Sequence, residues 1–119
     1  MSKFILSLSA HAMDHVPDDD MPTVADAAHA VVQEIVNTSV YILAGGLENR
    51  MSSILATDGT VTDGPEPGAI GGVTIVDVPS RQEALEWAAK TAVTCRCAQE
   101  VWGIGHDPEL EAMLGHTGS

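Results

Sequence analysis

One histidine of this chain sits where an imidazole could move protons beside a buried surface. His29 falls within a predicted helix over residues 22–38, at the edge of an apolar stripe that runs from Val24 to Ile35. Histidine exchanges a proton near neutral pH, and a side chain at that edge can reach a cleft between helix and sheet. We therefore consider His29 a candidate general base. The alternative is a half-exposed helix histidine without a chemical role.

A second candidate lies in a tight turn at Asp63-Gly64-Pro65. Glycine tolerates unusual φ values and proline fixes its own, so this tripeptide predicts a turn. The turn could hold the Asp63 carboxylate at the mouth of a cleft, with Gly64 and Pro65 contacting a ligand. Alternatively, Asp63 only accepts backbone hydrogen bonds within its own turn.

Two further histidines, His11 and His15, flank Asp14 in the predicted loop after the first strand. Imidazole and carboxylate groups are good ligands for zinc and other transition metals. However, this spacing aligns two ligands only on a helix, and Pro17 follows in a segment without a helical stripe. We favour a solvated loop, expect no metal site, and retain His11 as a candidate ligand-binding residue.

The two cysteines, Cys95 and Cys97, are separated by one residue on a predicted last strand over residues 95–104. On a strand both side chains point to the same face and are poorly placed to bridge each other, so we expect free thiols in a reducing compartment. The spacing is not that of a C-x-x-C redox motif. Since the sequence also lacks phosphate-binding glycine loops and the G-x-S-x-G motif, we expect no cofactor.

The composition is that of a small acidic globular protein. The chain has 119 residues, 45% of them hydrophobic, and 17 acidic against five basic side chains give a net charge of -12. This charge repels phosphate backbones and anionic membranes, so we expect neither nucleic acid nor membrane as a partner. No apolar run approaches a membrane span, and the first residues do not resemble a secretory signal. We expect one cytoplasmic domain over residues 1–105, followed by a tail over residues 106–119.

Hydrophobic periodicity predicts alternating strands and helices. Strands are expected over residues 3–9, 40–44 (buried) and 73–78, with a strand pair around 54–62 joined by the turn Asp58-Gly59. The first helix is expected to start near Asp20 as a possible cap, and the second to start at Ser80, with Glu83 completing a capping box. Gly71-Gly72 indicates a close approach of two backbones. The buried side of the second helix is predicted to comprise Ala84, Leu85, Trp87, Ala88 and Ala92.

The resulting order, β-α-β-β-α-β with an inserted strand pair, predicts an α+β, ferredoxin-like sheet with both helices on one face. The strands over 40–44 and 73–78 are apolar on both sides. Because the helices can cover only one face, the other would expose an apolar patch that soluble monomers rarely tolerate. We therefore expect a homodimer in which a second copy covers that face.

Three segments in this order resemble the YCII-related family, in its DGPF-type subgroup: Thr62-Asp63-Gly64-Pro65, Gly71-Gly72-Val73-Thr74-Ile75-Val76-Asp77-Val78 and Glu83-Ala84-Leu85-Glu86-Trp87-Ala88-Ala89. The resemblance covers residues 3–104 and implies a dimeric α/β barrel, but no reaction. The chain departs from the family pattern after Pro65, where Glu66 replaces a phenylalanine and the loop is shorter.

In one branch of the family, a histidine of the first helix pairs with an aspartate near the end of that helix. His29 stands close to the equivalent position, but Asn37, Thr38 and Ser39 replace the acid. Asp58 or Asp63 would have to supply the carboxylate instead.

Two hypotheses for function follow from these residues. The first is a small-molecule site between helix and sheet with cofactor-free acid/base chemistry, such as elimination or isomerisation, in which His29 is the base and Asp63 the second group. The second is a non-enzymatic dimeric ligand-binding or regulatory module. A carboxylate within hydrogen-bond distance of His29 would favour the first, and its absence would favour the second.

Overall fold

A computed structural model describes residues 1–48, 52–65 and 68–113 of the chain. The predicted departure from the family pattern at Glu66, and the end of the predicted tail, lie outside the described residues. The helices and strands follow in the order β1 (Ser2–Ser9), α1 (Met21–Asn37), β2 (Tyr41–Gly46), β3 (Ser53–Leu55), β4 (Val61–Asp63), β5 (Ile70–Val78), α2 (Arg81–Cys95), β6 (Glu100–Gly103) and α3 (Pro108–Met113).

The sheet has the ferredoxin-like arrangement that the sequence predicts. Four antiparallel strands lie in the order β2-β5-β1-β6, with β1 and β5 at the centre. Strands β3 and β4 form a separate two-stranded sheet, here called the hairpin, inserted between β2 and β5. The two α-helices α1 and α2 pack on one face of the four-stranded sheet, so the fold is α+β with its core between helices and sheet.

The core forms because alternate residues of β1 and β5 face the helices. Side chains of β1, α1, β5 and α2 join in one buried cluster, which comprises Phe4, Leu6, Val31, Ile35, Val40, Val76, Val78, Ala84 and Ala88. The predicted stripe of α1 is confirmed at Val24, Val31 and Ile35. On α2 one prediction is wrong: Leu85 is 41% exposed, because the short face of α2 that contacts the sheet is filled by alanines.

The predicted strand over residues 95–104 is too long. Helix α2 continues to Cys95 and ends at Arg96, which adopts the left-handed conformation (φ 58°) and donates its N–H to the Ala92 carbonyl. Strand β6 starts only at Glu100. The helical hydrogen bonds of α2 extend to Cys95 and the left-handed cap at Arg96 ends them, so the strand cannot begin at Cys95. The two cysteines therefore do not share a strand face.

The strand predicted over residues 40–44 is confirmed as β2, but its predicted burial is not observed in the protomer. Strand β2 lies at the edge of the sheet, and Tyr41, Ile42 and Leu43 are 38%, 44% and 51% exposed in the protomer. A continuous apolar run predicts burial on both faces, but it carries no information on which strand lies at the edge of the sheet.

The two predicted helix caps differ in outcome. The Ser80 side chain accepts a hydrogen bond from the Glu83 N–H at 3.3 Å, which confirms Ser80 as the N-cap of α2. The Asp20 side chain caps nothing. Its Oδ2 instead accepts a hydrogen bond from Arg96 Nη1 at 3.0 Å, so this carboxylate links the start of α1 to the end of α2.

The C-terminal segment contains the short helix α3. His106 joins this segment to the sheet: its Nε2 lies 3.2 Å from Ser2 Oγ and its Nδ1 lies 3.3 Å from Glu111 Oε1. The domain boundary at residue 105 remains a prediction. Across residues 1–48, 52–65 and 68–113, no helix is both long and apolar enough to span a membrane.

Candidate functional site

A cavity of about 350 Å³ lies between helix α1 and the helix-facing side of the sheet. Its origin is the strand register. On that side, one row across the sheet consists of Leu6, Thr74 and Ala44, which pair on neighbouring strands. Each of these positions carries a side chain. The next row consists of Leu8, Gly72 and Gly46, so two of its three positions carry no side chain. Gly72 and Gly46 therefore form the floor of the cavity, and the volume above them is empty.

Two glycines near this floor differ in whether the backbone requires them: Gly71 cannot carry a side chain, whereas Gly46 can. A Cβ on Gly71 would lie 2.9 Å from Ala10 Cα, so only glycine fits there; this confirms the close backbone approach predicted for the glycine pair. A Cβ on Gly46 would lie 3.9 Å from its nearest neighbour, the Gly71 carbonyl oxygen, which is an ordinary contact. Gly46 therefore leaves room for a ligand without being needed by the backbone.

The rest of the lining is largely apolar. Helix α1 contributes Ala28 and Val32 above the glycine floor, and Met13 contributes from the loop after β1. A few polar side chains interrupt this surface: His29, Tyr41, Thr74, Thr91 and Gln99. Among the described residues, no aspartate, glutamate, lysine or arginine lines the cavity. An apolar cavity with a few convergent polar groups is the usual form of a small-molecule site.

His29 is the predicted site residue that lines this cavity. It is exposed overall and stands on the shoulder of α1, one residue from the Ala28 that faces the glycine floor. In the described part of the chain, no carboxylate lies within hydrogen-bond or ion-pair distance of its ring. Because a catalytic pair needs a carboxylate within hydrogen-bond distance of His29, this geometry favours ligand binding over a histidine-carboxylate pair within one protomer.

Asp63, Gly64 and Pro65 lie at the base of the hairpin and do not line the cavity. Asp63 is the exposed last residue of β4. The Gly64 N–H donates to the Ser52 carbonyl at 2.8 Å and closes the hairpin, and a side chain on Gly64 would run into Ser52 Oγ. The structure therefore gives this turn a local role at the hairpin base and does not bring Asp63 to His29.

Asp58, the other acid considered for His29, is engaged in its own turn. Its Oδ1 accepts a hydrogen bond from the Thr60 N–H at 2.9 Å. Hydrogen bonds from the Thr60 hydroxyl and from this N–H hold the pKa of Asp58 below its usual range.

His11 lies outside the cavity, in the loop after β1. Its Nδ1 is 2.8 Å from Asp14 Oδ2, and both side chains are exposed. Within the described ranges, no group of three or more metal-ligating side chains is assembled.

The lining residues that the sequence did not predict include Tyr41, Gly46, Thr74 and Gln99. For Thr74 a signal existed, because it is the single hydroxyl on the helix-facing side of β5, in phase with Val76 and Val78. The other three depend on strand register and on the loop after α2, which no local pattern specifies.

Cys95 lines the cavity and Cys97 lies just beyond it; both are free thiols. Burial raises the pKa of the Cys95 thiol. Burial, and to a lesser extent the neighbouring Cys95, raise the pKa of Cys97 as well. Because the thiolate is the nucleophile, both cysteines are poor nucleophiles at neutral pH.

We expect iodoacetamide to alkylate both native thiols several-fold more slowly at neutral pH than the same thiols in urea-unfolded protein. The rate should rise with pH over a range above that of a free thiol, because the folded pKa values are raised. Mass spectrometry of the wild type and of a Cys97→Ser variant would resolve the two sites. Fast alkylation of Cys95 near neutral pH would contradict the prediction.

Among solved structures, the chain is similar to 5-chloro-2-hydroxyhydroquinone dehydrochlorinase from Burkholderia phenoliruptrix AC1100, in a complex with 2,5-dihydroxybenzoquinone. The two share 12% sequence identity with a TM-score of 0.47, over 90% of this chain and 97% of that chain. No family model and no curated protein matches the chain. The ferredoxin-like fold therefore follows from the chain's own strand order, and membership of the YCII-related family remains a prediction.

Proposed function

We propose that this protein is a YCII-related small-molecule-binding protein whose ligand occupies the cavity between α1 and the sheet. The observation that carries the proposal is the cavity itself: about 350 Å³, largely apolar, and floored by Gly46 and Gly72. That volume corresponds to roughly twelve water molecules at about 30 Å³ each, which suits a small organic molecule.

Acid/base catalysis at this site is the second candidate function. It is supported by His29, whose imidazole lines the cavity and can accept a proton from a bound molecule. Elimination and isomerisation are the reaction classes that such a base serves without a cofactor. Without a carboxylate partner in the described part of the protomer, His29 would act alone or with a group on the ligand.

We also propose that the protein is a homodimer, with a second copy on the sheet face opposite the helices, here called the outer face. Strand register aligns one apolar side chain from each strand across that face, in the order Leu43, Ile75, Ile5 and Trp102. Leu43 is 51% and Trp102 57% exposed in the protomer. A continuous apolar row of this kind is typical of an interface, and a twofold axis lets the same row cover itself.

The cavity proposal is tested by filling the floor. Gly46→Leu should abolish binding of benzene, a small apolar probe, because the added side chain occupies the ligand volume where the glycine leaves space. Binding is measured from benzene-induced changes in the amide NMR signals of Gly72, His29 and residue 46. The matched control is Gly105→Leu, since Gly105 lies outside the cavity and a Cβ there meets no atom within 4 Å.

Gly105→Leu should bind benzene as the wild type does. The proposal fails if benzene leaves the wild-type signals unchanged, or if Gly46→Leu, shown to be folded by the rest of its spectrum, still responds at the same benzene concentrations.

A further inference from the structure

We propose that the ligand is uncharged and carries a hydroxyl or carbonyl group, and that the Thr74 side chain anchors this group at the cavity wall. This inference rests on the proposed function and adds to it the chemical class of the ligand and a residue that selects it.

Thr74 is a buried polar residue that lacks a partner. It lies in the middle of β5 with its side chain on the helix-facing side, and it is 9% exposed. Within the described part of the chain, no hydrogen-bond partner lies within reach of its hydroxyl. Buried hydroxyl groups are normally hydrogen-bonded, so a hydroxyl that borders a cavity is placed to take its partner from a molecule bound there.

The backbone around Thr74 cannot supply that partner. Its strand pairs on both sides, with Leu6 of β1 and Ala44 of β2 opposite Thr74, so the neighbouring N–H and C=O groups belong to the sheet ladder. The hydroxyl is nevertheless open to the cavity. Among the described residues, Asp77 Oδ1 is the one fully enclosed side-chain oxygen or nitrogen that lacks a partner. The Thr74 oxygen, which also lacks one in the described part of the chain, is therefore not fully enclosed.

The charge of the lining sets the class of ligand. Since no aspartate, glutamate, lysine or arginine among the described residues lines the cavity, a cation would find no counterion there, and an anion would find one only in a protonated His29, which is itself exposed. Burying an unpaired charge is costly, and the net charge of -12 further opposes anions. Carboxylates and phosphate esters are therefore disfavoured.

The remaining polar groups suit an uncharged ligand. Thr74 can both donate and accept a hydrogen bond. The Gln99 amide lines the same cavity, and its one hydrogen bond within the described residues is a long contact of 3.9 Å from Nε2 to Cys97 Sγ, which leaves the amide oxygen available as an acceptor. A hydroxyl or carbonyl on an apolar body matches this set.

The test compares probes of matched size on the wild type and on Thr74→Val, which removes the hydroxyl and keeps the shape. Dissociation constants for cyclohexanol, cyclohexanecarboxylate and benzene are measured by NMR titration of the amides of Gly46, Gly72 and residue 74. We expect the wild type to bind cyclohexanol more tightly than cyclohexanecarboxylate. We expect Thr74→Val to weaken cyclohexanol about two- to tenfold, the effect of one hydrogen bond, and to leave benzene unchanged or tighter.

Each outcome discriminates. If Thr74→Val binds cyclohexanol as well as the wild type, or if the carboxylate binds the wild type more tightly than the alcohol, the inference is overturned while the cavity site stands. If none of the three probes shifts the cavity signals of the wild type, the proposed function itself fails. Unchanged benzene binding in Thr74→Val shows that the variant is folded.

Discussion

Replacing Ile35 by alanine is expected to lower the free energy of unfolding by about 2–5 kcal/mol. Ile35 is fully buried in the core cluster between α1 and the sheet. Truncation removes buried methyl groups and leaves a cavity that close-packed neighbours fill only in part. Because small domains have about 5–15 kcal/mol of stability in total, this loss would leave the protein marginally folded. Urea unfolding followed by circular dichroism measures it from the midpoint and slope.

The control is Val36→Ala, on the next residue of the same helix. Val36 is 43% exposed, so the change should stay within about 0.5 kcal/mol of the wild type. Equal destabilisation by both variants would show that α1 does not pack through Ile35 as the fold requires.

Trp102→Glu is expected to convert the proposed dimer into monomers. Trp102 ends the apolar row on the outer face and is 57% exposed in the protomer, so the fold itself does not depend on its burial. Large aromatic side chains in interfaces often contribute about 2 kcal/mol or more, and such a loss raises the dissociation constant about 30-fold or more. A buried carboxylate without a counterion adds to this loss.

Sedimentation velocity over a range of protein concentrations measures this change. Val93→Glu is the matched control, because it adds the same charge at a residue that is 79% exposed on α2, a helix that packs against the opposite face of the sheet. The control should dimerise as the wild type does. A monomeric wild type, or a Trp102→Glu variant that still dimerises equally well, would refute the proposed interface.

The sequence predicted the elements of the fold well because their signals are local. The stripe through Val24, Val31 and Ile35 identified α1, and the Ser80 cap identified the start of α2. The turn at Asp58-Gly59 predicted the hairpin correctly. Its weakest prediction was the stretch from Cys95 to Gln99, where a strand was expected and the helix with its cap at Arg96 prevailed.

For the candidate site, the sequence could place one residue but not its partners. Helical periodicity put His29 at the edge of the buried face, and that edge borders the cavity. Asp63 was considered with it because the end of the first helix lacks the carboxylate that the resemblance implies as a partner for the histidine. Whether they meet depends on where the hairpin lies, which nothing in the spacing of the two residues encodes. In the protomer the hairpin base keeps Asp63 away from the cavity lining.

By itself, then, the sequence determined the helices, most strands, the ferredoxin-like order and the acidic charge, because these depend on residues a few positions apart or on composition. Only the tertiary structure decided that β2 is an edge strand and that Gly46 lies level with Gly72. It also decided that the Thr74 hydroxyl faces the resulting cavity without a partner in the described chain. These features arise from the register between strands distant in sequence, and a shift of one residue in that register would turn each side chain to the other face of the sheet.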